Sequence, residues 1–147
     1  MEKQFNIRVY GILIQDRQIL LARENYRGMA MCKFVGGGLE WGEGITDSLH
    51  REFMEEWQLP IAVGEFVYMN EFFQQSAFSQ NDQLISIYYR IKCLDNSLLN
   101  KHCQASIGKP EGIFWTPLAE LDPETLTWPI DRMAIDQLKA FSAPPSE

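Results

Sequence analysis

Cysteine is scarce in this chain. The three present, Cys32, Cys93 and Cys103, are widely spaced and odd in number. That argues against a disulfide framework and for a reducing compartment, so a cytoplasmic location is expected. Long apolar runs are missing as well. None approaches the roughly 20 residues of a membrane span, and MEKQF at positions 1–5 offers no apolar stretch suited to a secretory signal. No membrane partner is expected. Basic excess is also lacking: 13 Lys and Arg face 20 Asp and Glu, for a net charge of −7. Such a chain does not attract nucleic acid through a general positive field, so no nucleic-acid partner is expected. A phosphate ligand would need metal ions or a few placed Arg and Lys to offset like charge locally. His102-Cys103 has no second ligand pair at zinc spacing, and its expected role is in the surface or core. Repeats and low-complexity segments are absent.

What is present reads as one ordinary globular domain. The chain has 147 residues, 46% of them hydrophobic and 22% charged. The domain is expected over residues 1–141, with 142–147 (SAPPSE) as a disordered tail. FNIRVYGILIQ, Phe5 to Gln15, reads as a strand, and Asp16-Arg17 as a tight turn into a second strand, Gln18 to Arg23. Gly36-Gly37-Gly38 is the strongest loop signal. A helix is expected from Thr46, which can cap it, to Trp57, with Asp47 in its first turn and Pro60 beyond its end. Ile61 to Phe73 and Gln83 to Leu94 read as strands joined by a polar loop. A short strand within Pro110 to Pro117, a turn of helix at Leu118 to Leu121 and a closing helix from Pro129 to Phe141 complete the pattern. Ile130, Met133, Ala134, Leu138 and Phe141 lie near helical spacing in that last helix. Mixed strands with two main helices predict an α/β or α+β sandwich.

The first helix carries the chemistry. With Glu52 at the origin of a helical wheel, Glu55 falls at about −60° and Glu56 at about +40°. Leu49, Phe53 and Trp57 fall at about 60° to 140°, the stripe facing the core. The acidic arc therefore borders the apolar stripe, and the small Ser48 within it leaves room. Like charges at this spacing repel, more strongly beside a core edge, and no Lys lies on the arc to offset them. A bound Mg²⁺ or Mn²⁺ would remove the repulsion, because hard cations take carboxylate oxygens.

Gly37, then five residues, Glu43, seven residues, and Arg51-Glu52-Phe53-Met54-Glu55-Glu56-Trp57-Gln58-Leu59 resembles the 23-residue box of the Nudix (MutT-like) hydrolases. Two departures stand out. Gln58 replaces a glycine at the helix C-cap, where a left-handed residue costs Gln about 1 kcal/mol relative to Gly. Val35 stands where many members have proline. The resemblance implies an α/β/α sandwich with a mixed sheet, a loop-helix-loop and a C-terminal helix. It also implies an enzyme that hydrolyses a phosphoanhydride bond in a nucleoside diphosphate linked to another group, using Mg²⁺ or Mn²⁺. Carried over by position, Glu52, Glu55, Glu56 and the carbonyl of Gly36 are the metal ligands. Arg51 and Glu43 would orient the glutamates by charge-assisted hydrogen bonds. The base that takes the proton from water is Glu52 or a glutamate outside the box, with Glu111 first and Glu71 second.

The rest of the substrate site is less specified. Arg23, Arg27 and Lys33 precede the glycines and are expected near phosphate. Phe72, Phe73, Tyr88 and Tyr89 are aromatics able to stack a base, Phe73 first among them, and Trp41 is a further cover for a nucleotide. The family's marks for ADP-ribose, dinucleoside polyphosphate, coenzyme A and NADH substrates are missing. Elimination and small size favour a nucleoside triphosphate or related nucleotide as the small-molecule partner. An ADP-ribose or nucleotide-sugar hydrolase, a non-catalytic nucleotide sensor and an isoprenyl diphosphate isomerase are the alternatives. A homodimer is common in the family.

Overall fold

The structure, a computed structural model, describes residues 2–142. Its long first strand, β1 (Gln4–Gln15), organises everything else. Along β1, Val9 and Leu13 join one buried cluster, while Tyr10 and Ile12 join another. That is the period-two alternation of a strand covered on both faces. On the first face, Leu49 and Phe53 of α1 (Ile45–Trp57) pack against Val9 and Leu13. On the second, Ile130, Ala134, Ile135 and Leu138 of α3 (Pro129–Ser142) pack around Tyr10 and Ile12. The result is a helix–sheet–helix sandwich with a mixed sheet, as expected. Each such Leu, Ile or Phe contributes about 1.5–3 kcal/mol by leaving water.

β1 pairs in parallel with β6 (Asp82–Cys93) from Gln4↔Asp82 to Leu13↔Ile91. It pairs antiparallel with β4 (Val35–Gly38) and, at its end, with β2 (Gln18–Tyr26). β2 also pairs with β3 (Met29–Lys33) and β7 (Gly112–Pro117), and β5 (Ile61–Met69) lines the outer edge of β6. Asp16 and Arg17 have φ of 50° and 64°, and Arg27 and Gly28 have 52° and 81°. Two left-handed residues in succession match the twist of a tight hairpin, which is why these two-residue turns join β1–β2 and β2–β3.

Several expectations shift. The three glycines are not a loop: they are strand β4, with Tyr10↔Gly36, Val9↔Gly37 and Arg8↔Gly38 in register. The α1 N-cap is Gly44, not Thr46, and the Asp47 carboxylate accepts from the Gly44 N–H at 3.2 Å. A helix that the sequence reading omitted, α2 (Asn96–Ala105), follows β6 and is capped by Asp95, whose carboxylate accepts from Leu98 N–H at 3.0 Å. β5 stops at Met69, short of Phe73. In α3, Met133 is 42% exposed, whereas Ile135 is buried. Ser142 closes α3, residues 143–147 lie outside the described ones, and so does the Phe141 side chain. No helix among the described residues is long and apolar enough to cross a membrane.

Gln58 is the C-cap of α1 with φ 54° and ψ 31°, and its N–H bonds Met54 carbonyl oxygen at 3.0 Å. Gln58→Gly is expected to stabilise the fold by about 1 kcal/mol, since glycine adopts this conformation without the Cβ penalty. Urea unfolding checks it; an unchanged or lower midpoint refutes it.

Candidate active site

Arg51 is the hub. Its Nε and Nη2 bond the Glu43 carboxylate at 2.9 and 2.7 Å, a bidentate pair. Nη2 also donates to Gly38 carbonyl oxygen at 3.1 Å, and Nη1 to Glu52 at 3.0 Å and Glu55 at 3.3 Å. One guanidinium thus ties β4, the following loop and the acidic arc of α1 together. The Glu43 carboxylate also accepts from Glu40 N–H at 2.8 Å. The bonds from Arg51 and Glu40 hold the Glu43 carboxyl down at about 2. Its stabilising effect is full above the ordinary carboxylate range and is lost as pH falls through about 2.

Glu52 lies directly over the glycine strand. A Cβ on Gly37 would stand 2.4 Å from its Oε1. That close approach is the local reason for glycine there. Glu56 is solvent-accessible along part of its surface. Loss of water around its carboxyl, with repulsion from Glu52, Glu24 and Glu55, nevertheless pushes it up to about 7 against the pull of Lys33. Among the described residues, no three acidic, His or Cys side chains gather into a closed metal cage. Arg51 draws Glu52 and Glu55 to itself instead.

A cavity of about 680 Å³ opens on the α3 face of the sheet, with no residue of α1 in its lining. Glu24 and Lys33, an ion pair at 2.8 Å, border it on one side, and both act on Glu56. Trp128, Phe78 and Tyr26 border the other side; Phe78 meets Trp128 and Tyr26 edge-on at centroid distances of 5.6 and 4.8 Å. Between them lies Asp131, 1% exposed, whose Oδ1 accepts from the Tyr88 hydroxyl while Oδ2 has no partner. Burial pushes Asp131 up to about 6, against the Tyr88 hydroxyl and Lys33, which favour its charged form. The folded state therefore holds a proton that the unfolded chain releases between pH 3.8 and about 6. That contribution is complete at the low end and is lost as pH rises through about 6. Asp131→Asn is expected to flatten this slope: the fall in urea midpoint from about pH 4 to about pH 7 shrinks relative to wild type. An equal fall in both proteins overturns it.

Of the residues expected near substrate, Lys33 and Arg27 border the cavity, and so does Tyr88 from the core. Arg23 does not: it donates to Ser106 carbonyl oxygen at 3.0 Å and lies over Phe114 at 4.5 Å. Strand alternation sends it to the other face of β2 from Glu24. Phe73, 68% exposed, is outside the cavity lining, as are Phe72, Tyr89 and the fully exposed Trp41. Glu111 is exposed just ahead of β7 and Glu71 just after β5, and neither reaches the cavity. Gly36 stands in β4 next to the glycine that Glu52 covers. Sequence reasoning missed Arg8, Glu24, Asp131 and Trp128, all on the cavity wall. Arg8, a charge between the apolar Ile7 and Val9 of β1, was the available signal.

A NUDIX domain model matches residues 5–138. No functionally curated protein sequence is similar to the chain. Solved structures are. The E. coli ORF135 protein has a TM-score of 0.72 at 19% identity, over 99% of this chain and 96% of that one. A NUDIX hydrolase from Nitrosomonas europaea has 0.72 at 18%, over 97% and 93%. The DNA mismatch repair protein MutT, a Nudix hydrolase from methicillin-resistant Staphylococcus aureus 252, has 0.65 at 25%, over 95% and 98%.

Proposed function

Since the chain belongs to the Nudix family and is a hydrolase of pyrophosphate bonds, we propose that its substrate is a nucleoside triphosphate or closely related nucleotide, cut in the presence of Mg²⁺ or Mn²⁺. One observation carries this reading. Glu24 and Lys33, whose charges act on Glu56 of the arc, border a cavity of about 680 Å³ that also holds aromatic edges and a buried carboxyl with one unpartnered oxygen. Aromatic rings suit a flat base, and a lone buried hydrogen-bonding group gives orientation. Phosphates would then lie toward Glu52 and Glu56.

The donor set fits a hard divalent ion. Glu52, Glu55 and Glu56 offer oxygens on one arc, and Glu56 is repelled by three neighbouring carboxylates that a cation would neutralise. The Gly36 carbonyl is the backbone donor of this reading. A bound ion supplies charge neutralisation of phosphate oxygens and a more acidic water. The chain's own groups do the rest. Arg51 and Glu43 fix the loop and the direction of Glu52. Glu52 is the base that accepts the proton from water, and Glu24 on the cavity wall is better placed than Glu111 for a supporting role. Lys33 offsets phosphate charge in a protein of net charge −7, whereas Arg27 lies over the Tyr26 ring at 5.0 Å, among the aromatics.

A screen of nucleoside triphosphates, nucleotide sugars and ADP-ribose with Mg²⁺ or Mn²⁺ tests the reading through phosphate and pyrophosphate release. Triphosphates are expected to be turned over best, and EDTA to abolish the reaction. Turnover confined to ADP-ribose or nucleotide sugars overturns the substrate, and activity untouched by EDTA overturns the metal role.

A further inference from the structure

Two cations on the cavity wall differ in standing. Lys33 is already matched, with its ammonium 2.8 Å from Glu24. Arg8 is not: among the described residues it forms no ion pair, and its one side-chain hydrogen bond is Nε to the Tyr10 hydroxyl at 3.2 Å. The N–H groups on its two terminal nitrogens are left for a ligand.

The placement of Arg8 is specific. It is the register partner of Gly38, and its Nη1 lies 3.4 Å from where a Cβ on Gly38 would stand. The guanidinium therefore rests against the end of the glycine strand, on the opposite face from the Gly37 position that Glu52 covers, yet near enough for the Glu52 charge to act on it. It is also aligned from behind. The Tyr10 ring stacks on Tyr88 at 5.3 Å, and the Tyr88 hydroxyl is bound to the buried Asp131. An arginine anchored through Nε, half-buried and unpaired, is a preset fork for the two non-bridging oxygens of a phosphoryl group. It lines the cavity within electrostatic reach of Glu52 and Glu24.

We propose that Arg8 is a substrate-binding residue that grips a phosphoryl group between the acidic arc and the cavity, and so sets the preference for substrates with a phosphate at that position. The proposal rests on the phosphoanhydride reading of this site; its experiment is independent of which base the cavity takes. The probe is inorganic pyrophosphate with Mg²⁺, followed by titration calorimetry on wild type, Arg8→Met and Arg8→Lys. Arg8→Met is expected to bind it at least about tenfold more weakly, and Arg8→Lys, which keeps the charge but loses the fork, to fall between. With the best nucleotide of the screen, KM rises and kcat is kept. Equal pyrophosphate affinity in wild type and Arg8→Met, or no binding by wild type, overturns the proposal. Where Arg8→Met fails to fold, unchanged affinity in Arg8→Lys overturns it as well. Unmodified nucleosides form the second arm, and their binding is expected to be the same in all three proteins. Failure of every nucleoside to bind, with Arg8-dependent pyrophosphate binding intact, overturns the nucleotide reading alone.

Discussion

Glu56→Gln is expected to lower kcat/KM at least about a thousandfold, on the order of 4 kcal/mol of transition-state stabilisation, while the fold stays intact. The substitution keeps shape and removes only charge. No described residue hydrogen-bonds or ion-pairs with the Glu56 carboxylate, so no packing contact depends on its charge. What it loses is the negative charge that makes the arc a cation site. The same change relieves Glu56's repulsion with Glu52, Glu24 and Glu55. The sign follows from the raised carboxyl. In the metal-free protein, ionising Glu56 costs stability as pH rises from 4.5 through about 7. At about pH 8 without metal, the variant should therefore melt no lower than wild type. Added Mg²⁺ should raise the wild-type melting temperature and leave that of the variant nearly unmoved. Activity of the variant within tenfold of wild type would remove Glu56 from the metal site.

How much of this was legible in the sequence depends on which physical scale decided it. Period and spacing within one element were enough for the acidic arc, for α1 to within a residue, for the Asp16-Arg17 turn and for the left-handed Gln58. What depended on pairing between elements was not. Three consecutive glycines read as a loop because glycine is a poor strand former; only the closeness of the β1 backbone behind Gly36 makes glycine obligatory there. Arg23 and Lys33 look equivalent as nearby cations, yet register places Ala22 opposite Lys33 and Arg23 opposite Cys32, so they serve different faces. Asp131 reads as an ordinary acidic residue in a first helical turn. Its burial, its Tyr88 partner and its unpartnered oxygen exist only once α3 lies on the sheet. α2 offers one buried residue, Leu99, and has little apolar periodicity to reveal it.

Adjacent glycines of β4 should respond to the same methyl group in opposite ways. At Gly36 a Cβ would stand 2.1 Å from the Val9 carbonyl oxygen and 2.7 Å from the Tyr10 Cα. Both are backbone atoms of a strand held by pairing to β4 on one side and β6 on the other. They cannot retreat without breaking that pairing, so Gly36→Ala is expected to cost about 3 kcal/mol or more, the upper end of overpacking in a well-filled interior. At Gly37 the obstacle is different. The nearest atoms to a new Cβ are the carboxylate of Glu52, at 2.4 to 2.8 Å. A carboxylate is the far end of a flexible side chain and can swing aside at small cost, pulling away from the 3.0 Å bond to Arg51. Gly37→Ala should thus melt close to wild type yet lose about 10- to 100-fold in activity, the usual cost of disturbing the groups that orient metal ligands. Urea unfolding and turnover measured on both variants separate the two effects. If Gly37→Ala loses stability as Gly36→Ala does, Glu52 is a packing residue and not a movable ligand. If Gly37→Ala keeps full activity, the place of Glu52 over the glycine strand has no part in the reaction.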